Sequence, residues 1–290
     1  VNGLISNINF IIFSTAATTI FVNQNNTSGT ENGSSKYPYS TIQRGIDNCP
    51  DGGTVTVADG IYRGDGNKNL FCSEKNITVS SASGSATTCI IDCENLGRGF
   101  YFNNIGTGSA IIGFTIKNGY AAGYYPSGYG SGIYLGTSSP LIANCIISKN
   151  TAKYGGGIYC NNSSPSVLNC KILGNKASMY VYDSGNGGGI YCNYSFPSII
   201  NCTISGNTAG YGGYGGGIYL GTSSPLIANC TISGNSAGYG GGGGIYCKYY
   251  SSPSIINCTI SGNKATPSGG GIYCEYYSSP SITNCNITGN

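Results

Sequence analysis

GIYCNYSFPSIINCTISGN, residues 189–207, carries the reading of the whole chain. Its apolar residues alternate with polar ones, a period of two that belongs to strands and not to helices. Ile190 and Cys192 fall on one face and Tyr191 on the other. Ile200, Cys202 and Ile204 are expected to point inward, with Asn201 and Thr203 outward. Pro197 sits between the two runs, where its fixed φ and missing N–H mark a corner.

The same sentence returns six times, with its first isoleucine at Ile133, Ile158, Ile190, Ile218, Ile245 and Ile272. The intervals are 25, 32, 28, 27 and 27 residues, and the variation falls in the glycine-rich stretch before each GIY. Each unit closes on an asparagine: Asn150, Asn175, Asn207, Asn235, Asn263 and Asn290. Short strands joined by tight corners at this period describe the coils of a parallel β-helix, a solenoid whose units build one continuous core. Residues 132–145 and 217–230 both read GIYLGTSSPLIANC, which points to a duplicated block of three coils.

Upstream, Ile111-Ile112-Gly113-Phe114-Thr115-Ile116 matches the second run with Phe114 in the cysteine position, so the coils begin before the repeats proper. Ser40-Thr41-Ile42-Gln43 reads as a capping box opening a short helix to about Cys49, placed to cover the end of the solenoid. The expected organisation is an all-β right-handed parallel β-helix. Residues 1–17 form an apolar β-prone arm, 18–100 the cap and first coils, and 101–290 the repeat coils. The opening VNGLISNINFIIFSTAATTIFV lacks a basic n-region and is broken by Asn7 and Asn9, so it reads as mature sequence and not as a signal peptide.

IFVNQNN, PYSTIQRGIDNCPDGGTVTVADGIYRG and the NC-x-I-x-GN coils together resemble the right-handed parallel β-helix repeat proteins of pectin-lyase-like fold. The GGGIY element resembles the repeats of polymorphic outer-membrane and other bacterial surface proteins. The resemblance covers about residues 18–290. It implies a fold that hosts lyases, hydrolases, spikes and adhesins alike, so activity has to be argued from sites.

Composition narrows the chemistry. Charged residues make up 8% of the 290-residue chain, against about 25% in ordinary soluble proteins. Net charge is +3 without a basic block, which leaves nucleic acid without an electrostatic footprint. No run of apolar residues is long enough to span a bilayer. Histidine is absent, removing the commonest general base and metal ligand. The enzymes of this fold are expected to cluster carboxylates on one face. Here eight of the ten acids precede residue 95, and the six repeats hold only Asp183 and Glu275. Asp92 with Glu94, near Asp65 and Arg63 or Arg98, is the one candidate acidic site; turn-forming roles are the competing reading. No catalytic residue, metal or cofactor is expected.

The fourteen cysteines lack a CxxC motif and suit an oxidising compartment. Cys160/Cys170, Cys192/Cys202, Cys247/Cys258 and Cys274/Cys285 are candidate in-coil disulfides. Against that, Leu135 and Leu220 replace the first member where Cys145 and Cys230 stay, as expected of small buried hydrophobes. Tyr134, Tyr159, Tyr191, Tyr219, Tyr246 and Tyr273 should form one outward stack, either a stiffening ladder or a binding stripe for sugar rings.

An apolar arm and a bare last coil lead to the expectation of a secreted, extracellular or cell-surface structural protein without catalytic activity. Its partner would be itself, joined head to tail in a filament or surface layer. The alternatives are a protein that binds or cleaves a surface polysaccharide, and a monomeric adhesin stalk.

Overall fold

The computed structural model describes residues 18–123, 125–178, 184–266 and 268–290. The proposed arm at 1–17 and Asp183 lie outside the described residues. The described residues form a right-handed parallel β-solenoid of about eight turns, as the repeat required. Three long sheets enclose one core, with ten, nine and eight strands, and a fourth of four short strands lies beside them. Every strand pair is parallel and in register, so equivalent residues of successive coils are direct neighbours.

In-register stacking turns each inward position into a column. Val79, Ile111, Ile142, Val167, Ile199, Ile227 and Ile255 make one. Ile116, Ile147, Ile172, Ile204, Ile232 and Ile260 make the second. Phe100, Ile133, Ile158, Ile190, Ile218 and Ile245 make the third. These side chains are 0–1% exposed, and burial of each stabilises the fold by about 1.5–3 kcal/mol relative to exposure. Phe114 is buried at the upstream cysteine position, as the pattern implied.

One expectation about the second run is corrected. Residues 198–205 hold two strands, Ser198–Ile200 and Thr203–Ser205, hinged at Asn201 with φ of 55°. The hinge interrupts the alternation, so Ile199 faces the core in place of Ile200, while Cys202 and Ile204 remain inward. Asn144, Asn169, Asn229, Asn257 and Asn284 take the same left-handed conformation in their own coils. Asparagine reaches it at lower cost than most residues because its side chain can bond locally.

The cap helix spans Ile42–Asn48, close to the expected range, but no capping box forms. Thr41 makes no side-chain cap. The Ile42 N–H instead donates to Asn67 Oδ1 at 2.9 Å, and Gln43 turns outward to Asp47 and the Phe71 backbone. At the other end Lys75 Nζ donates to the carbonyls of Ile46, Asp47 and Cys49. The neighbouring coil thus satisfies both helix ends.

Candidate functional site

The repeated polar residues meet their own counterparts in the neighbouring coils. Asn150, Asn175, Asn207, Asn235 and Asn263 are 0–1% exposed. The amide oxygen of each accepts from the backbone N–H and the side-chain N–H of the asparagine one coil earlier, from Asn175 over Asn150 to Asn290 over Asn263. Each Nδ2 also donates to a core-strand carbonyl, as Asn207 does to Ile172 at 2.9 Å. Ser138, Ser163, Ser195, Ser223, Ser251 and Ser278 form a parallel ladder, each N–H donating to the next hydroxyl at 3.0–3.1 Å. The fixed positions of these residues in the repeat were the available signal. Burial shows that they satisfy the corners.

Cysteine makes the third ladder. Among the candidate disulfide positions, Cys160, Cys170, Cys192, Cys202, Cys247, Cys258, Cys274 and Cys285 all carry free thiols, as do the other six cysteines. The contacts run along the axis. The N–H groups of Cys170, Cys202, Cys230 and Cys258 donate to the sulfur of the next coil at 3.4–3.5 Å. Each thiol in turn donates to a carbonyl two residues back, as Cys202 does to Ile200 at 3.3 Å. The adjacent thiols Cys145 and Cys202, followed by burial, push Cys170 up. Burial pushes Cys72 and Cys93 up to about 12, so these are not nucleophiles.

The tyrosines stack as expected. Ring centroids from Tyr134 through Tyr159, Tyr191, Tyr219 and Tyr246 to Tyr273 lie 4.7–5.7 Å apart and 3–19° from parallel. As a surface stripe, however, the ladder is corrected. Tyr134, Tyr159, Tyr219 and Tyr246 are no more than 7% exposed, and Tyr191 and Tyr273 are half-buried. The glycine-rich stretches fold over the rings, bringing Tyr129, Tyr154 and Tyr214 against Tyr159, Tyr191 and Tyr246. Gly187 has to be glycine here: its φ is 67°, and a Cβ would lie 2.8 Å from Tyr191 Cβ. Arg98 covers one end of the stack, 5.2 Å from Tyr101 and 5.5 Å from Tyr134.

The acidic candidate is an ion-pair knot. Asp92 meets Arg63 at 3.2 Å and Lys117 at 3.6 Å, while Lys68 bridges Glu94 at 3.3 Å and Asp65 at 3.7 Å. Burial pulls Asp92 upward, but hydrogen bonds from Asn118, the Glu94 N–H and Arg63, with Lys117 nearby, hold it below the usual range. Both carboxylates are therefore held as anions by their partners, and neither is poised to take or give a proton. Arg98 lies apart, in an open cleft of about 560 Å³ beside Leu96 and Tyr120. Its guanidinium donates to the carbonyls of Pro126, Ser127 and Tyr129. Among the described residues no three of Cys, Asp and Glu are grouped to hold a metal. No described helix is long and apolar enough to cross a membrane.

Comparisons agree with this architecture. Residues 188–290 match a family model described as a right handed beta helix region. Residues 144–161 and 169–193 match the repeat of the Chlamydia polymorphic membrane protein. Among solved structures the chain is similar to pectate lyase Pel9A, with TM-score 0.52 and 15% identity over 95% of this chain and 80% of that one. It is also similar to a pectin methylesterase solved with a hexasaccharide, with TM-score 0.51 and 12% identity over 90% and 81% of the two chains. Identities this low carry the fold and say nothing about activity. The search of curated proteins gives no match.

Proposed function

We propose that this chain is a non-catalytic structural element of a cell surface, a secreted rod of adhesin or stalk type whose copies also associate coil on coil. The observation that carries the reading is the direction of the repeated chemistry. Asparagine, serine, cysteine and tyrosine of one coil are consumed by the same residues of the next. Among the described residues nothing reactive recurs on the surface, and the clustered carboxylates are neutralised by three cations. The polymorphic membrane protein repeat supports a surface setting.

The same pattern supports the reading of self-association. Each coil offers its neighbour an identical set of donors, acceptors and apolar columns, so a coil of another copy is as good a partner as a coil of the same chain. The lyase and esterase alternative is tested directly. Polygalacturonate and methylated pectin, with and without calcium, are incubated with the protein and followed for unsaturated ends, reducing ends and free methanol. No turnover is expected above a heat-treated control; turnover abolished by Asp92→Asn would overturn the non-catalytic assignment.

A further inference from the structure

The buried ladder is not the only place where phenols meet. At the corner leading to the Ser-Pro turn, Tyr249, Tyr250, Tyr276 and Tyr277 are 46–82% exposed. Their two coils carry one residue more than the others there: Pro253 lies eight positions after Ile245, whereas Pro225 lies seven after Ile218. The Tyr250 N–H donates to the Tyr276 carbonyl at 2.9 Å, which holds the two corners at ladder distance. The Tyr249 ring lies 5.0 Å from Tyr276, and the Tyr250 ring lies 5.4 Å from Tyr277 and 13° from parallel. Tyr194 is also exposed at this corner, but the coils on either side place Asn162 and Thr222 there. Exposed phenols therefore face each other across the coil boundary at Tyr250 and not at Tyr194. Tyr211 and Tyr239, with rings 4.7 Å apart and edge on, make a further exposed pair.

Adjacent exposed phenols are placed for oxidative coupling. Hydrogen peroxide acting through a haem peroxidase takes one electron and one proton from each ring. The two phenoxyl radicals join by a carbon–carbon bond between the ring carbons next to the hydroxyls. The hydrogens on those carbons then move to the oxygens, restoring both phenols, and the peroxide leaves as two waters. Those carbons lie on the ring edges, which are what stacked rings turn outward. Bond formation needs the rings to swing out of the stack, which exposed side chains can do and close-packed ones cannot. Tyr134 and Tyr159, and Tyr219 and Tyr246, stack as closely but are no more than 7% exposed. Lys248 stands 4.9 Å from the Tyr249 ring and 5.3 Å from Tyr276, and a cation over a ring makes electron loss harder. Among the described residues no cation lies over Tyr250 or Tyr277, so the outer pair is the easier one to oxidise. With no tryptophan and twelve of the fourteen thiols buried, tyrosine is the accessible reductant of this surface.

We propose that Tyr250 and Tyr277 are a modification site, coupled by a one-electron oxidant into a dityrosine that links their two coils covalently. The link lies within one chain, so it stands or falls separately from self-association. The test exposes dilute native protein to a haem peroxidase and limiting hydrogen peroxide. Dityrosine emission, intact mass, a denaturing gel and peptide mapping by mass spectrometry follow the product. A monomer lighter by two hydrogens is expected, with the bond mapped to Tyr250 and Tyr277. That product should exceed any cross-link within the buried ladder at least tenfold, with Tyr211–Tyr239 as the other surface product. Tyr250→Phe should lower the yield of cross-links through Tyr277 at least tenfold with an unchanged circular dichroism spectrum, whereas Tyr194→Phe should leave it unaltered. Absence of dityrosine, coupling only between chains, or an undiminished cross-link through Tyr277 in folded Tyr250→Phe would overturn the site. So would coupling spread evenly over the buried ladder.

Discussion

Asn207 donates twice to one oxygen of Asn235, from its backbone N–H at 3.0 Å and from its side chain at 2.9 Å. Both residues are fully buried. The pair closes one corner and hands the same pattern to the coils on either side, so the residue works as a rung. Replacing it by Asn207→Ala takes the acceptor from the Asn175 backbone N–H and from one of its side-chain N–H groups, and removes one donor from the Ile172 carbonyl. Buried unpaired groups cost about 1–3 kcal/mol each. Urea denaturation should therefore show a loss of about 3 kcal/mol or more.

The two cysteine columns should respond differently to leucine. Cys192 stacks on Leu220 in the next coil, so Cys192→Leu should cost less than about 1.5 kcal/mol. Cys202 supplies the sulfur that accepts from the Cys170 N–H. Cys202→Leu removes that acceptor and overfills the corner, and should cost about 2 kcal/mol or more. Thermal or urea unfolding of the two variants checks the contrast.

All fourteen cysteines should titrate as thiols in denaturant without reductant. Under native conditions the fully buried ones should react slowly.

Alkali should unfold the rod through its tyrosines. Burial first, then neighbouring phenols, pushes Tyr134, Tyr159 and Tyr191 well above their ordinary 10.0; burial and then the Glu275 carboxylate do the same to Tyr246, and burial carries Tyr219 to about 12. The folded state holds neutral phenols that the unfolded chain ionises. Their contribution is complete below pH 10 and is lost as pH rises from 10 to 12 and beyond. Denaturant midpoints measured across that window should fall steeply, and phenolate absorbance should appear together with unfolding.

Gly189 packs against the next coil so closely that a Cβ would lie 2.6 Å from the Gly217 carbonyl oxygen. That oxygen accepts from the Ile190 N–H at 2.9 Å. Gly189→Ala has to push the coils apart and should cost about 1–3 kcal/mol in urea unfolding.

Much of this architecture is legible in the repeat. Period two placed Ile190 and Cys192 inward and Tyr191 on the opposite face of the strand. The prolines marked one corner correctly. The second corner escaped because Asn201 bends the chain in a left-handed conformation that a pattern of alternating polarity does not encode. The helix cap was misread because its partner, Asn67, lies in the next coil. The candidate site was legible in type and not in exposure. Tyr191 was expected to be outward, but a strand pattern carries no information on which loop later covers the ring. The cysteine spacing suggested contacts within a coil, whereas in-register stacking sets their neighbours along the axis.

The central claim is that stacking of coils, within and between copies, is what the molecule is for. Negative-stain electron microscopy of the purified protein over a rising concentration series tests it most directly. The account predicts rods of constant width whose length grows with concentration into filaments or layers. Isolated short rods of one fixed length at every concentration would contradict it.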